Sequence, residues 1–269
     1  MRGLFLILCL LLSQLSLAAS DLIRERRIAD QISEALLVGE PLTLQAGDTP
    51  FLAIYTREST DYSHGAAIIL HGRGAHPDWV DVVNPLRSEL PEYGWQTLSI
   101  QLPVAAADAS DWVYRELIPE AAPRIAAAVD YLKQQGISNL VLIGHSLGAR
   151  MGLEYLAAGA PEELRAFVAV GLSADAQRPQ EGTLQALRQV RVPMLDIFGS
   201  RDLGSVTGSA GARTRVAREA DLVDYRQAQV EGADHFFSGL SDTLVARVRA
   251  WLGRTVPGEK LAPASPATD

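Results

Sequence analysis

Asn139-Leu140-Val141-Leu142-Ile143-Gly144-His145-Ser146-Leu147-Gly148 is the stretch on which the reading of this chain turns. Five residues, four of them apolar, form a short strand that stops at a glycine, and a helix is predicted from Leu147 to Ala158. Between them, Gly144-His145-Ser146-Leu147-Gly148 fits the pattern G-x-S-x-G. A serine on so tight a strand-to-helix turn is forced into a strained backbone, and its hydroxyl is lifted clear of the sheet. Glycines flank it because side chains there would strike the neighbouring strand and helix. The start of the helix offers free N–H donors, that of Leu147 first among them, to an oxygen that gains negative charge.

Working outward, the same strand pattern repeats. Ala66 to Leu70 ends at His71-Gly72, Gln96 to Leu102 at Pro103, Ala166 to Val170 at Gly171, and Val192 to Phe198 at Gly199. Short apolar runs that stop at Gly or Pro indicate parallel strands buried on both faces. Helices are predicted between them, over Glu116–Gln135, Leu147–Ala158 and Ala212–Ala220, with a closing one over Ser241–Leu252. Ile125, Val129 and Leu132 share one side of the first of these, and Leu244, Val248, Trp251 and Leu252 face inward on the last. The alternation predicts an α/β fold with a mostly parallel, doubly wound sheet of about eight strands. Pro41–Ala46 and Phe51–Arg57 alternate as an antiparallel pair around Gly47-Asp48-Thr49-Pro50, which sets an antiparallel N-terminal edge. Before them, residues 21–38 form an amphipathic helical extension with Leu22, Ile23, Ile28, Ile32, Ala35 and Leu36 as its apolar residues. The domain proper covers 39–253. Its insert from Leu172 to Val190 is too short for a large cap, and residues 254–269, rich in Pro, Ala and Thr, are expected to be disordered.

A serine at neutral pH needs a base, and the base needs a carboxylate to orient it. In this chemistry the order along the chain is serine, acid, histidine. Of the five histidines (His64, His71, His76, His145 and His235), only His235 follows Ser146. It lies in a loop before the closing helix. The first choice for the acid is Asp202, just beyond the strand that ends at Gly199, with Asp175 as the rival. Asp196 falls inside a strand and reads as structural; Asp234, next to the histidine, points elsewhere. A second oxyanion donor is expected from the loop His71-Gly72-Arg73-Gly74, through the backbone N–H of Arg73. His71 is expected to brace that loop. Asn84, Trp79 and Trp112 read as packing or surface residues.

Met1 to Ser20 has the form of a secretory signal peptide, with Arg2 before the apolar run Leu4–Leu12 and small residues after it. It implies an exported bacterial protein, periplasmic or secreted. The single cysteine, Cys9, lies in that leader, so the mature chain would have neither a disulfide nor a thiol nucleophile. At 269 residues and 48% hydrophobic the chain is long enough for one sizeable core. Its net charge of −8 argues against nucleic acid as a partner. No metal, nucleotide or flavin motif is apparent, so no cofactor is expected; Gly72-Arg73-Gly74-Ala75-His76 lacks the spacing of a dinucleotide loop. The expected partner is a small or lipid-like acyl compound, with no membrane span in the mature form.

HGRG (residues 71–74), GHSLG (144–148), FGSRD (198–202) and ADHFF (233–237) together resemble the α/β-hydrolase superfamily over nearly all of the mature chain. More narrowly, HGRGAHPDW (71–79), PLRSEL (85–90), GWQTLSIQLP (94–103), GHSLGA (144–149) and FGSRD are similar to a group of uncharacterised exported bacterial hydrolase-like proteins. The resemblance implies an α/β-hydrolase fold and a Ser146–Asp202–His235 triad, and it implies no substrate. The expected activity is that of a metal-free serine hydrolase cleaving a carboxylic ester. The same residues would serve an acyltransferase or an amidase. A non-catalytic envelope protein on a hydrolase fold is the reading from another class.

Overall fold

The computed structural model of the protein describes residues 20–258. The leader assignment, except for Ser20, and the tail beyond Gly258 lie outside the described residues. Helix α1 (Leu22–Ala35) opens the chain, with the Asp21 side chain accepting from the Arg24 N–H at 2.9 Å as its N-cap. Ile32 of α1 packs on Leu52 and Ile54, joined by Ile28, Ala29 and Leu36. Leu22 and Ile23, expected to face inward, do not: they are 48% and 86% exposed. The first turn of the helix lies beyond the apolar strip and makes polar contacts instead.

A hairpin follows, β1 (Glu40–Ala46) and β2 (Thr49–Thr56), paired antiparallel around Gly47-Asp48. The remaining strands are β3 (Gly65–Leu70), β4 (Trp95–Ile100), β5 (Leu140–His145), β6 (Leu164–Val170), β7 (Met194–Gly199) and β8 (Tyr225–Val230). They form one sheet in the order β1-β2-β4-β3-β5-β6-β7-β8. Only the β1–β2 and β2–β4 pairings are antiparallel. Every residue of β3, β5 and β7 is buried, because helices cover both faces. β8 is a partly exposed edge strand with the polar sequence Tyr-Arg-Gln-Ala-Gln-Val, and so it carries no apolar run by which to be recognised.

Helix α2 (Val83–Glu89) follows β3, and α3 (Asp111–Glu116) follows β4. The helix expected over Glu116–Gln135 is divided. A 3-10 turn at Ile118–Glu120 separates α3 from α4 (Ala121–Gln134), because Pro119 cannot donate within a continuous helix. Gly136, at φ +79°, stops α4 as expected. Then come α5 (Leu147–Ala157), α6 (Gly182–Leu187), α7 (Gly204–Thr207), α8 (Ala210–Glu219) and α9 (Ser241–Thr255). The closing helix thus runs three residues past the expected Leu252, where Val256 still packs in the core. The Leu172–Val190 insert holds only α6, and no large cap is present among the described residues.

Two cores sandwich the sheet. Ile125, Val129 and Leu132 of α4, with Leu153 and Leu156 of α5, cover one face. Leu86 of α2 and Leu244, Val248 and Trp251 of α9 cover the other. β3 and β5 are neighbours in the middle of the sheet, yet the chain winds outward from them in opposite directions. That switch point opens a crevice at the carboxyl ends of the two strands, where His71-Gly72 and Ser146 lie.

Candidate active site

Ser146 follows directly on β5 and precedes α5, with φ 55° and ψ −117°, a conformation a non-glycine residue adopts only under constraint. Gly148 makes the turn feasible: a Cβ there would lie 2.3 Å from the His71 carbonyl oxygen and 2.6 Å from that of Leu70. The Ser146 N–H donates to the Val170 carbonyl at 2.8 Å, which ties the turn to β6.

The structure brings Ser146, His235 and Asp202 together. Ser146 Oγ is 2.9 Å from His235 Nε2, and His235 Nδ1 is 2.6 Å from Asp202 Oδ1. A carboxylate can only accept, so Nδ1 carries the proton and Nε2 is left to accept from the serine hydroxyl. Asp202, in the turn after β7, is itself fixed by the N–H of Leu203 at 2.7 Å and that of Gly199 at 3.4 Å. His235, in the loop after β8, sits against Gly171, which has φ +64°. Any Cβ at 171 would come within 2.9 Å of the imidazole. Each of the three side chains therefore projects from the carboxyl side of a different strand.

The other carboxylates lie elsewhere. Asp175 is on the surface, paired with Arg178 at 2.7 Å, and that guanidinium holds its carboxyl below the usual range. Asp196 is wholly buried against Arg213 at 2.7 Å and also accepts from Tyr225 Oη and Gln227 Nε2. Asp234 accepts from the N–H groups of Phe236 and Ser238, both at 3.0 Å, and so shapes the loop.

Arg73 lies in the turn closed by the Ala75 N–H on the Gly72 carbonyl at 3.3 Å. Gly72 abuts the serine: a Cβ there would be 3.4 Å from Ser146 Cβ. His71 braces this turn. Its Nδ1 donates to the Gly72 carbonyl at 2.8 Å, while Nε2 accepts from the Leu102 N–H at 2.9 Å and from Gln101 Nε2 at 3.0 Å. The Gly72 carbonyl and the Arg73 N–H belong to one planar trans peptide, so fixing the oxygen fixes the N–H on its far side. Burial holds the His71 imidazole neutral, with its pKa pushed down to about 3, which preserves this tautomer. Leu147 opens α5, and its N–H has no intrahelical acceptor.

Asn84 donates to Asp78 at 2.7 Å, Trp79 packs against the core on the α2 and α9 face of the sheet, and Trp112 is 58% exposed. Sequence reasoning gave no role to His145. It is buried beside the serine, and its Nε2 donates to the His235 carbonyl at 2.9 Å, holding the loop that carries His235. Burial is the main reason its pKa falls to about 4. Its place inside the motif was visible; its reach to residue 235 was not. Among the described residues no group of three or more His, Cys, Asp or Glu side chains is disposed to hold a metal ion. Nor is any helix among them long and apolar enough to cross a membrane.

A family profile described as "Protein of unknown function (DUF3530)" matches residues 14–123 and 106–254. No curated protein matches the chain. Many solved structures share its fold. Est1E from Butyrivibrio proteoclasticus superposes with a TM-score of 0.64 at 13% identity, over 81% of this chain and 99% of that one. A dienelactone hydrolase from Anabaena variabilis gives 0.62 at 21% identity, over 81% and 98%. An α/β serine hydrolase without lid from Xanthomonas campestris gives 0.63 at 18% identity, over 82% and 97%. The fold is therefore that of the α/β hydrolases.

Proposed function

We propose, for a chain that belongs to the DUF3530 family of proteins of unknown function, the activity of a serine hydrolase that cleaves carboxylic esters in the cell envelope. The observation that carries this reading is the continuous hydrogen-bonded line from Ser146 Oγ through His235 to Asp202 Oδ1, at 2.9 and 2.6 Å, on a strained turn. A serine, a neutral imidazole and a carboxylate at these distances form a base-activated nucleophile. The neighbours of the same fold include an α/β serine hydrolase and a dienelactone hydrolase, which favours hydrolysis as the reaction class. The envelope location rests on the leader at residues 1–20.

In the reaction His235 Nε2 takes the proton of Ser146 Oγ as the oxygen attacks the ester carbonyl. The carbonyl π pair moves onto oxygen, and the resulting oxyanion is met by the N–H groups of Leu147 and Arg73. Collapse of the tetrahedral adduct breaks the bond to the alkoxy group, which leaves with the proton from His235. Water then attacks the acyl-serine, again with His235 as base, and releases the acid. Asp202 holds the imidazole in its Nδ1–H form and stabilises the cation during both transfers.

The test is covalent capture by a fluorophosphonate probe together with hydrolysis of short p-nitrophenyl esters. Wild-type protein is expected to react in both assays. Ser146→Ala is expected to lose both while keeping its circular dichroism spectrum. Undiminished labelling of that variant would refute the assignment.

A further inference from the structure

In the first turn of α1 the polar Arg24 and Glu25 face the protein while Leu22 and Ile23 are exposed, whereas the later turns pack apolar residues on the sheet. Arg24 reaches across to two loops at once: Nη1 donates to the Ala105 carbonyl at 2.5 Å and Nη2 to the Gly74 carbonyl at 3.4 Å. Gly74 belongs to the turn after β3 that carries the Arg73 N–H, and Ala105 to the loop after β4. The next residue, Glu25, forms a bidentate pair with Arg124 of α4 at 2.7 and 3.2 Å. The pair is almost completely buried. Glu25 also accepts from the Val104 N–H at 3.1 Å. Arg124 in turn donates to the Gln101 carbonyl at 3.2 Å, and the Gln101 side chain donates to His71. One hydrogen-bonded chain therefore runs from α1 to the imidazole that orients the Gly72–Arg73 peptide.

Attachment of a covering helix does not call for this arrangement. The Ile28, Ile32 and Leu36 strip already secures α1, and a buried ion pair adds little net stability over apolar side chains of the same size. An oxyanion donor, by contrast, must be held in place before charge develops. We propose that the N-terminal helix is a positioning element of the reaction, with Arg24 as the residue that clamps the loop bearing the Arg73 N–H. The inference rests on the serine hydrolase reading above. Arg24 touches no reacting atom; it acts through Gly74 and Ala105. Its loss would leave the serine, histidine and aspartate in place while one oxyanion donor drifts.

The experiment compares Arg24→Ala, Arg24→Gln and Arg24→Lys with Arg26→Ala, which removes an exposed arginine two residues further along the same helix. Steady-state hydrolysis of a p-nitrophenyl ester and the rate of fluorophosphonate capture are measured alongside thermal unfolding. Misplacing one donor is expected to lower kcat by about tenfold or more. KM should stay within about threefold, capture should slow in step with kcat, and Arg24→Lys should recover part of the loss. Arg26→Ala should match the wild type. Should Arg24→Ala not fold, Arg24→Gln, which keeps a polar side chain but falls short of both carbonyls, carries the comparison. Folded variants with wild-type kcat, or with a change confined to KM, would overturn the clamp and leave the hydrolase reading standing. A wild-type protein that neither labels nor turns over would overturn both.

Discussion

His235 shows how much depends on single atoms. Its ring is useful only as the tautomer with the proton on Nδ1, and the carboxylate of Asp202 selects that tautomer. Asp202→Asn could present its amide N–H to Nδ1 and so favour the other tautomer, with the proton facing the serine. We expect kcat to fall by roughly 10³- to 10⁴-fold, with KM and the circular dichroism spectrum little changed. Asp175→Ala, on the surface beside Arg178, should have no such effect. At this scale the candidate residues could be read from the chain, because only one histidine follows the serine and each acid has a definite relation to a strand end. The partners of Arg24, Glu25 and His145 could not be read. An arginine on an amphipathic helix has the same appearance whether it meets water or a carbonyl a long way down the chain.

At the scale of elements, legibility followed burial. The central strands announce themselves because both of their faces are covered, which forces an unbroken apolar run. β8 is an edge, and its alternating polar side chains look like a loop. α2 and α6 are too short for their periodicity to stand out from the flanking sequence. The place of Asp196 inside a strand was legible, but the elements it joins were hidden. From the middle of β7 its carboxylate fastens Arg213 of α8 and both Tyr225 and Gln227 of β8. The edge strand is thus held by two side-chain hydrogen bonds to a buried carboxylate as well as by its backbone ladder. Asp196→Ala would leave the Arg213 guanidinium buried without a counter-charge. We expect a loss of about 3–5 kcal/mol, read from the urea midpoint, the cost associated with breaking one side of a buried pair. Its effect on kcat of the remaining folded protein should be small.

For the molecule as a whole, two fully buried histidines make stability depend on acidity. In the folded protein the His71 and His145 pKa values lie at about 3 and about 4, whereas unfolded histidine has a value near 6.5. Between those limits the unfolded chain binds protons that the native one refuses, so stability falls as pH falls. The decline begins below about pH 6.5, and each histidine steepens it by up to about 1.4 kcal/mol per pH unit. Thermal unfolding from pH 7 to pH 4.5 should show this descent, and His145→Gln should shallow it. An unfolding midpoint unchanged across that range would contradict the assignment of both as neutral buried rings.

The two ends of the described chain emerge at opposite poles. Ser20 meets Arg124 and Glu120, close to the loops that Arg24 joins, while Gly258 abuts His64, just ahead of β3 and at the far end of the sheet. A support joined at Gly258 would leave the rim that carries Ser146 facing outward. A bulky group joined at Ser20 would instead sit beside the loops that Arg24 joins. For immobilising the protein on a solid support, Gly258 is the better attachment point of the two.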